Sequence, residues 1–154
     1  MPDSLDRDLL VLLHDVARLL RTRFDQRARE HGATRAQWVL LARLERQPGL
    51  SQNELAAILE VEPITVARLV DKLEQRGLVE RRADPNDRRI WRLHNLPAAQ
   101  PALDKITRYR ESMNAELLEG ISPDLRDSLI DALLNMKNHL TDAENMKLSA
   151  VGSN

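Results

Sequence analysis

Residues 84–89 read Asp-Pro-Asn-Asp-Arg-Arg, a spacing of charges suited to gripping a polyanion. Asp84 and Asp87 flank Pro85-Asn86, so their carboxylates can accept backbone amides that fix a turn, and Asp87 can orient a neighbouring guanidinium. Arg88 or Arg89 is then presented outward on a thin loop, a form suited to a narrow minor groove where negative potential is focused. Alternation along a strand makes the two arginines point apart, so at most one inserts deeply while both are expected to make contact. A salt-bridged turn is the purely structural alternative, but stability alone explains two arginines at a hairpin tip poorly.

A second cationic set precedes the first. Val66, Leu69, Val70 and Leu73 form the apolar stripe of a helix, and on a 100° wheel Ile64, Arg68, Asp71, Lys72 and Gln75 point the other way, with Thr65 at the flank. The face of Thr65, Arg68 and Lys72 is narrow enough to enter a major groove. Arg68 is the best candidate to read bases, since a guanidinium can bond two acceptors on guanine, whereas Lys72 and Arg76 suit phosphates. Ser51 and Ile64, at the starts of neighbouring helices, complete the expected DNA-contacting set of Ser51, Ile64, Thr65, Arg68, Lys72, Arg76, Asp87, Arg88 and Arg89.

Other chemistries find little support. With no cysteine, thiol nucleophiles, disulfides and thiolate zinc sites are excluded, and a reducing cytosol suits the chain. His14, His31, His94 and His139 show no HxxxH spacing, and no GxGxxG, P-loop, GxSxG or HExxH occurs. His14 with Asp15 or Glu30 with His31 could bind zinc, but a surface histidine beside a carboxylate is much commoner, so no metal and no cofactor are expected. Helix starts and surface pairing account for the carboxylates, so an enzyme, including a metal-dependent hydrolase, is not expected. No apolar run approaches the roughly 20 residues of a membrane span, and a cytoplasmic protein without membrane attachment is expected.

The 154 residues suit one folding unit with an oligomerisation arm. Net charge is −1, but residues 68–92 hold 8 basic against 5 acidic residues, so a nearly neutral chain still carries one locally cationic stretch. With 42% apolar residues and only 3% aromatic, the core must be aliphatic and packed between helices.

The elements follow from periodicity. Leu5, Leu9, Leu12, Leu13, Val16, Leu19, Leu20 and Phe24 recur at steps of three and four, predicting one amphipathic helix over about 5–30 that ends at Gly32. A helix of that length is too long to bury itself against a small domain, so it is expected to pack on a partner chain. Thr34 can cap a second helix carrying Trp38, Leu41 and Leu44, which Pro48-Gly49 breaks. Ser51-Gln52-Asn53-Glu54 fits a capping box for a short helix. Pro63 suits the first turn of the next, which Gly77 stops. A β-hairpin is predicted from Leu78–Arg82 and Arg89–Leu93. Two more amphipathic helices follow, starting near Pro97 and at Ser122-Pro123-Asp124, and a loose tail from about Lys147.

Two short helices joined by a four-residue turn at Glu60–Pro63, then a basic hairpin, make a winged helix-turn-helix. The fold class is therefore mainly α with a small β-hairpin wing and a helical dimerisation region. The expected divisions are residues 1–33 as a dimerisation helix, 34–96 as the DNA-binding domain, 97–146 as the C-terminal helices and 147–154 as a flexible tail. The alternative function for this architecture is a protein-interaction adaptor that has no DNA target.

Four passages carry a resemblance to the MarR family of transcriptional regulators, and to its SlyA-like members. They are Gln37-Trp38-Val39-Leu40-Leu41, Ser51 to Ala56, Val66 to Glu74 with Gly77 to Arg81, and Asp84 to Arg89. The likeness spans roughly residues 5–145. It implies a homodimer in which the first and last two helices interlock, so that residues 97–146 are dimerisation helices, reading pseudo-palindromic double-stranded DNA and acting as a repressor. It also implies relief by a small aromatic acid or phenol, with Arg21, Thr34 and Trp38 lining the pocket. The chain departs from the family at Leu93-His94-Asn95-Leu96-Pro97, where the family usually shows Leu-Thr and a glycine, so the start of the next helix is open.

Overall fold

The computed structural model describes residues 5–151, with side chains over residues 6–143. The elements run α1 (Leu9–Glu30), α2 (Arg35–Arg46), α3 (Gln52–Leu59), α4 (Pro63–Gln75), β1 (Val79–Ala83), β2 (Trp91–Asn95), α5 (Gln100–Leu117) and α6 (Pro123–Val151). No described helix is long and apolar enough to cross a membrane.

Local chemistry sets the helix starts. The Asp8 carboxylate accepts the Val11 amide, so α1 begins after it, and the residues before it form a separate 3₁₀ turn, Leu5–Arg7, instead of extending the helix. Thr34 and Gln37 make a reciprocal capping box for α2, and Ser51 and Glu54 make another for α3. Gly77, at φ +69°, turns the chain out of α4 into the hairpin.

The chain divides into two compact units, Met1–Tyr109 and Arg110–Asn154. In the first, Leu40, Leu41 and Leu44 of α2 pack with Leu55 of α3, Val66, Val70 and Leu73 of α4, and Val79 and Leu93 of the strands. Ala99, Leu103 and Ile106 complete this core, so the start of α5 belongs with the winged lobe. The second unit holds the end of α5 and α6, separated by a turn at Gly120. Leu9, Leu13 and Val16 along α1, and Leu125, Leu129 and Leu133 along α6, are exposed in the single chain.

Further boundaries differ from the sequence reading. β1 and β2 pair antiparallel with Arg81 opposite Leu93 and Ala83 opposite Trp91, placing the strands one or two residues later than predicted. Arg88 and Arg89 lie on no strand. They are the central residues of a β-turn closed by the Ile90 amide on the Asp87 carbonyl, so strand alternation does not set their directions. At the open departure from β2, Pro97–Ala99 forms a 3₁₀ turn and α5 begins only at Gln100. The last helix continues through Val151, past Lys147 where a tail was expected, because no glycine or proline interrupts residues 124–151. Residues 152–154 lie outside the described residues.

Glu60, which ends α3, is the one non-glycine with positive φ among the described residues, at φ 55°. An L side chain is strained there, and Glu60 is exposed. Glu60→Gly is therefore expected to raise unfolding free energy by up to about 1 kcal/mol, the strain relief exceeding glycine's backbone entropy. Urea denaturation of the two proteins checks this, and an unchanged or lower midpoint contradicts it.

Candidate nucleic-acid interface

Four arginines and five carboxylates settle which charges of residues 68–92 remain available. From β1, Arg81 donates to Asp71 at 2.7 Å, to Glu74 and to the Ala67 carbonyl, all on α4, and to the Gln52 amide oxygen on α3. From β2, Arg92 donates to Asp84 at 2.7 Å, and at longer range to Glu54 and the Gly49 carbonyl. Arg82 pairs with Glu80, and Arg89 pairs with Asp87. All five acidic residues of the stretch are thereby engaged. Arg68, Lys72, Arg76 and Arg88 have no ion pair among the described residues.

Three of these four unpaired cations share one line. Arg68, Lys72 and Arg76 stand four residues apart along α4 and its C-cap, continuing from Ile64, and form a row about 12 Å long. All three are exposed, as is Thr65. The fourth, Arg88, is exposed at the wing tip.

The wing loop has its shape fixed from inside. Asp84 Oδ1 accepts the amides of Asn86 at 2.8 Å and Asp87 at 3.0 Å, while Asp84 Oδ2 takes Arg92. Asp87 accepts the Arg89 amide and, through both oxygens, the Arg89 guanidinium. Arg89 is nonetheless 90% exposed at its side chain, so its free edges remain outward. The Arg92 guanidinium and the two turn amides hold the Asp84 carboxyl below the usual carboxylate range. The Arg89 guanidinium and amide do the same to Asp87, and the Ser51 amide, chiefly, to Glu54.

The remaining sequence candidates are distributed as follows. The Ser51 hydroxyl caps α3 by accepting the Glu54 amide and keeps its own proton to donate. Trp38 is buried and forms one wall of a cavity of about 160 Å³. That cavity is also lined by His31, Arg76, Lys105, Leu73 and Pro101, but not by Arg21 or Thr34. The His31 ring stacks on Trp38 at 5.6 Å between centroids. Arg76 thus belongs both to the cationic row and to the cavity wall. Sequence reasoning singled out neither Arg81 nor Arg92 as organisers, because their partners lie up to 43 residues away. Among the described residues, no three His, Cys, Asp or Glu side chains cluster as a metal site.

A MarR family model matches residues 33–91. The solved structure of the transcriptional regulator SlyA aligns at 26% identity, covering 88% of this chain and 96% of its own, with a TM-score of 0.75. The structure of MarR aligns at 27% identity over 94% and 97%, with a TM-score of 0.77. A MarR family regulator from Listeria monocytogenes, solved with a 26mer DNA, aligns at 28% identity over 89% and 91%, with a TM-score of 0.76.

The depressed carboxyls give the wing an acid limit. A carboxylate whose folded pKa lies below its unfolded value stabilises the fold above the ordinary range, and that contribution disappears as pH falls through the folded value. The amides of Asn86, Asp87 and Arg89 are therefore expected to lose hydrogen-exchange protection as pH falls below the ordinary carboxylate range, before the helical core does. Asp84→Asn should loosen the Asn86 and Asp87 amides already at neutral pH. Amide exchange followed by NMR across pH 3–7 checks both, and simultaneous loss of wing and core protection counts against the loop's dependence on these carboxylates.

Proposed function

We propose that this chain, a MarR-type transcriptional regulator with a MarR-family domain over residues 33–91, acts as a cytoplasmic homodimer that represses transcription by holding double-stranded DNA. The observation that carries this reading is the segregation of charge: every carboxylate in residues 68–92 is held by an arginine, while Arg68, Lys72, Arg76 and Arg88 are left to meet phosphate. Arg68 and Thr65 read base edges in a major groove, Lys72 sets position on the backbone, and Arg88 and Arg89 reach a minor groove from a fixed turn. The Listeria relative's structure with DNA supports the same use of the fold.

Dimerisation is supported by the exposed aliphatic stripes of α1 and α6, which a second copy would remove from water. Two-fold symmetry then places paired recognition helices on a pseudo-palindromic site. Relief by a small aromatic acid or phenol is supported by the Trp38 cavity, whose lining includes the basic side chains His31, Arg76 and Lys105 and no carboxylate. Arg76 links that cavity to the end of α4.

Gel shifts on candidate palindromes test the assignment. Arg68→Ala is expected to lose about 1–3 kcal/mol on the preferred sequence and to relax specificity, whereas Arg88→Ala weakens every duplex and reduces the salt slope by about 1. Wild-type behaviour in both variants overturns these roles. A chain that sediments as a monomer and binds no duplex in dilute buffer overturns the function. Benzoate is expected to raise Tm in the wild type and not in Lys105→Ala, which a thermal scan reads directly.

A further inference from the structure

We propose that Trp91 is a further contact to the duplex backbone, resting its indole on a deoxyribose beside the groove that the wing tip enters; the inference rests on the DNA-binding reading above. Trp91 is 45% exposed, whereas Trp38, the other indole, is 2% exposed. The ring contacts of the lobe join Phe24, His31, Trp38 and Tyr109 and do not include Trp91. Its register partner across the ladder is Ala83, an exposed residue too small to cover the indole. The fold therefore leaves nearly half of the largest side chain in the wing open to solvent.

Its surroundings indicate the occupant. Alternation along β2 puts Trp91 on the face of Leu93 and, across the ladder, of Arg81 and Ala83. Arg81 reaches Asp71 and Glu74 from that face, so Trp91 extends toward the wing tip the side of the hairpin that meets α4. Arg89 and Arg88 stand two and three residues before it. An apolar surface beside outward guanidiniums complements a sugar–phosphate wall, where sugar carbons alternate with anionic oxygens. The indole N–H can also donate to a phosphate oxygen. Such a contact is indifferent to base sequence and involves no change in charge.

That combination separates it from the arginine contacts. Trp91→Ala is expected to weaken binding about five- to thirtyfold on every duplex while leaving the slope of log K against log salt unchanged, and Trp91→Phe to recover part of the loss. An altered slope, or wild-type affinity in Trp91→Ala, overturns the proposal. Acrylamide, a neutral quencher that DNA does not repel, gives a readout on the unmodified protein. With sheared genomic DNA in low-salt buffer, the quenchable fluorescence assigned to Trp91 by its loss in Trp91→Phe should become shielded as the complex forms. A complex seen by anisotropy of labelled duplex with Trp91 still fully quenchable overturns the contact and leaves the DNA-binding reading standing. Shielding that rises with protein concentration in the absence of DNA assigns the indole to a second copy and overturns the proposal. Absence of any complex overturns both readings.

Discussion

A two-stranded hairpin is at best marginally stable in water, so the wing's ability to present a side chain depends on how it is tied to the helices. Burial of Val79 and Leu93 in the lobe core supplies part of that tie, and two guanidiniums fix its geometry. Arg81 joins β1 to α3 and α4, and Arg92 joins β2 to the loop at Asp84 and to the start of α3. The backbone adds a short third rung, with the Leu93 amide on the Leu50 carbonyl and the Gly49 amide on the Leu93 carbonyl. Exposed ion pairs taken singly contribute little, about 0–1 kcal/mol each. Here the value is positional: a planar fork with five donors can hold several partners in one geometry, which a lysine ammonium cannot. Helix-turn-helix and wing are thereby held in one fixed arrangement.

The same pairing explains how a protein of net charge −1 can present a cationic surface. If the carboxylates of residues 68–92 were scattered, their fields would cancel those of the arginines. Because they are instead folded onto Arg81, Arg82, Arg89 and Arg92, the row on α4 stands unneutralised. That row is unfavourable to the isolated helix, since like charges four residues apart destabilise it by a few tenths of a kcal/mol per pair. The core beneath, with Val66, Val70 and Leu73 fully buried, supplies far more than is lost. Apolar burial and unpaired positive charge are thus divided between the two faces of one helix.

What could be read from the chain was local. The capping residues Thr34 and Ser51, the stop at Gly77 and the buried stripe of α4 each depend on neighbours within four residues, and their chemistry is visible in the order of the letters. So was the turn chemistry of Asp84 and Asp87, whose acceptors serve amides two or three residues on. What could not be read was long-range. Nothing adjacent distinguishes Arg81 and Arg92, which brace the fold, from Arg68 and Arg88, which have no ion pair among the described residues, because the distinction is made by Gln52, Glu54, Asp71 and Gly49. The strand register failed for a related reason: the Asp84 amide bonds the Ile90 carbonyl and closes a wider loop than periodicity suggests, leaving Arg88 and Arg89 in a turn.

Arg76 brings the two halves of the proposed function into competition. Its guanidinium ends the row on α4 and also lines the Trp38 cavity with Lys105 and His31. On that proposal one side chain would serve both a backbone phosphate and an anion in the cavity, so occupancy of either site would lower affinity for the other. Linkage makes that antagonism reciprocal, with DNA weakening the ligand by the same factor by which the ligand weakens DNA. On the proposed function, a first increment of relief would need no hinge or refolding, since the coupling would pass through a single cation at the C-terminus of α4. A larger response would need the cavity to move Leu73, which is both its wall and part of the core under α4, and so to shift the helix itself.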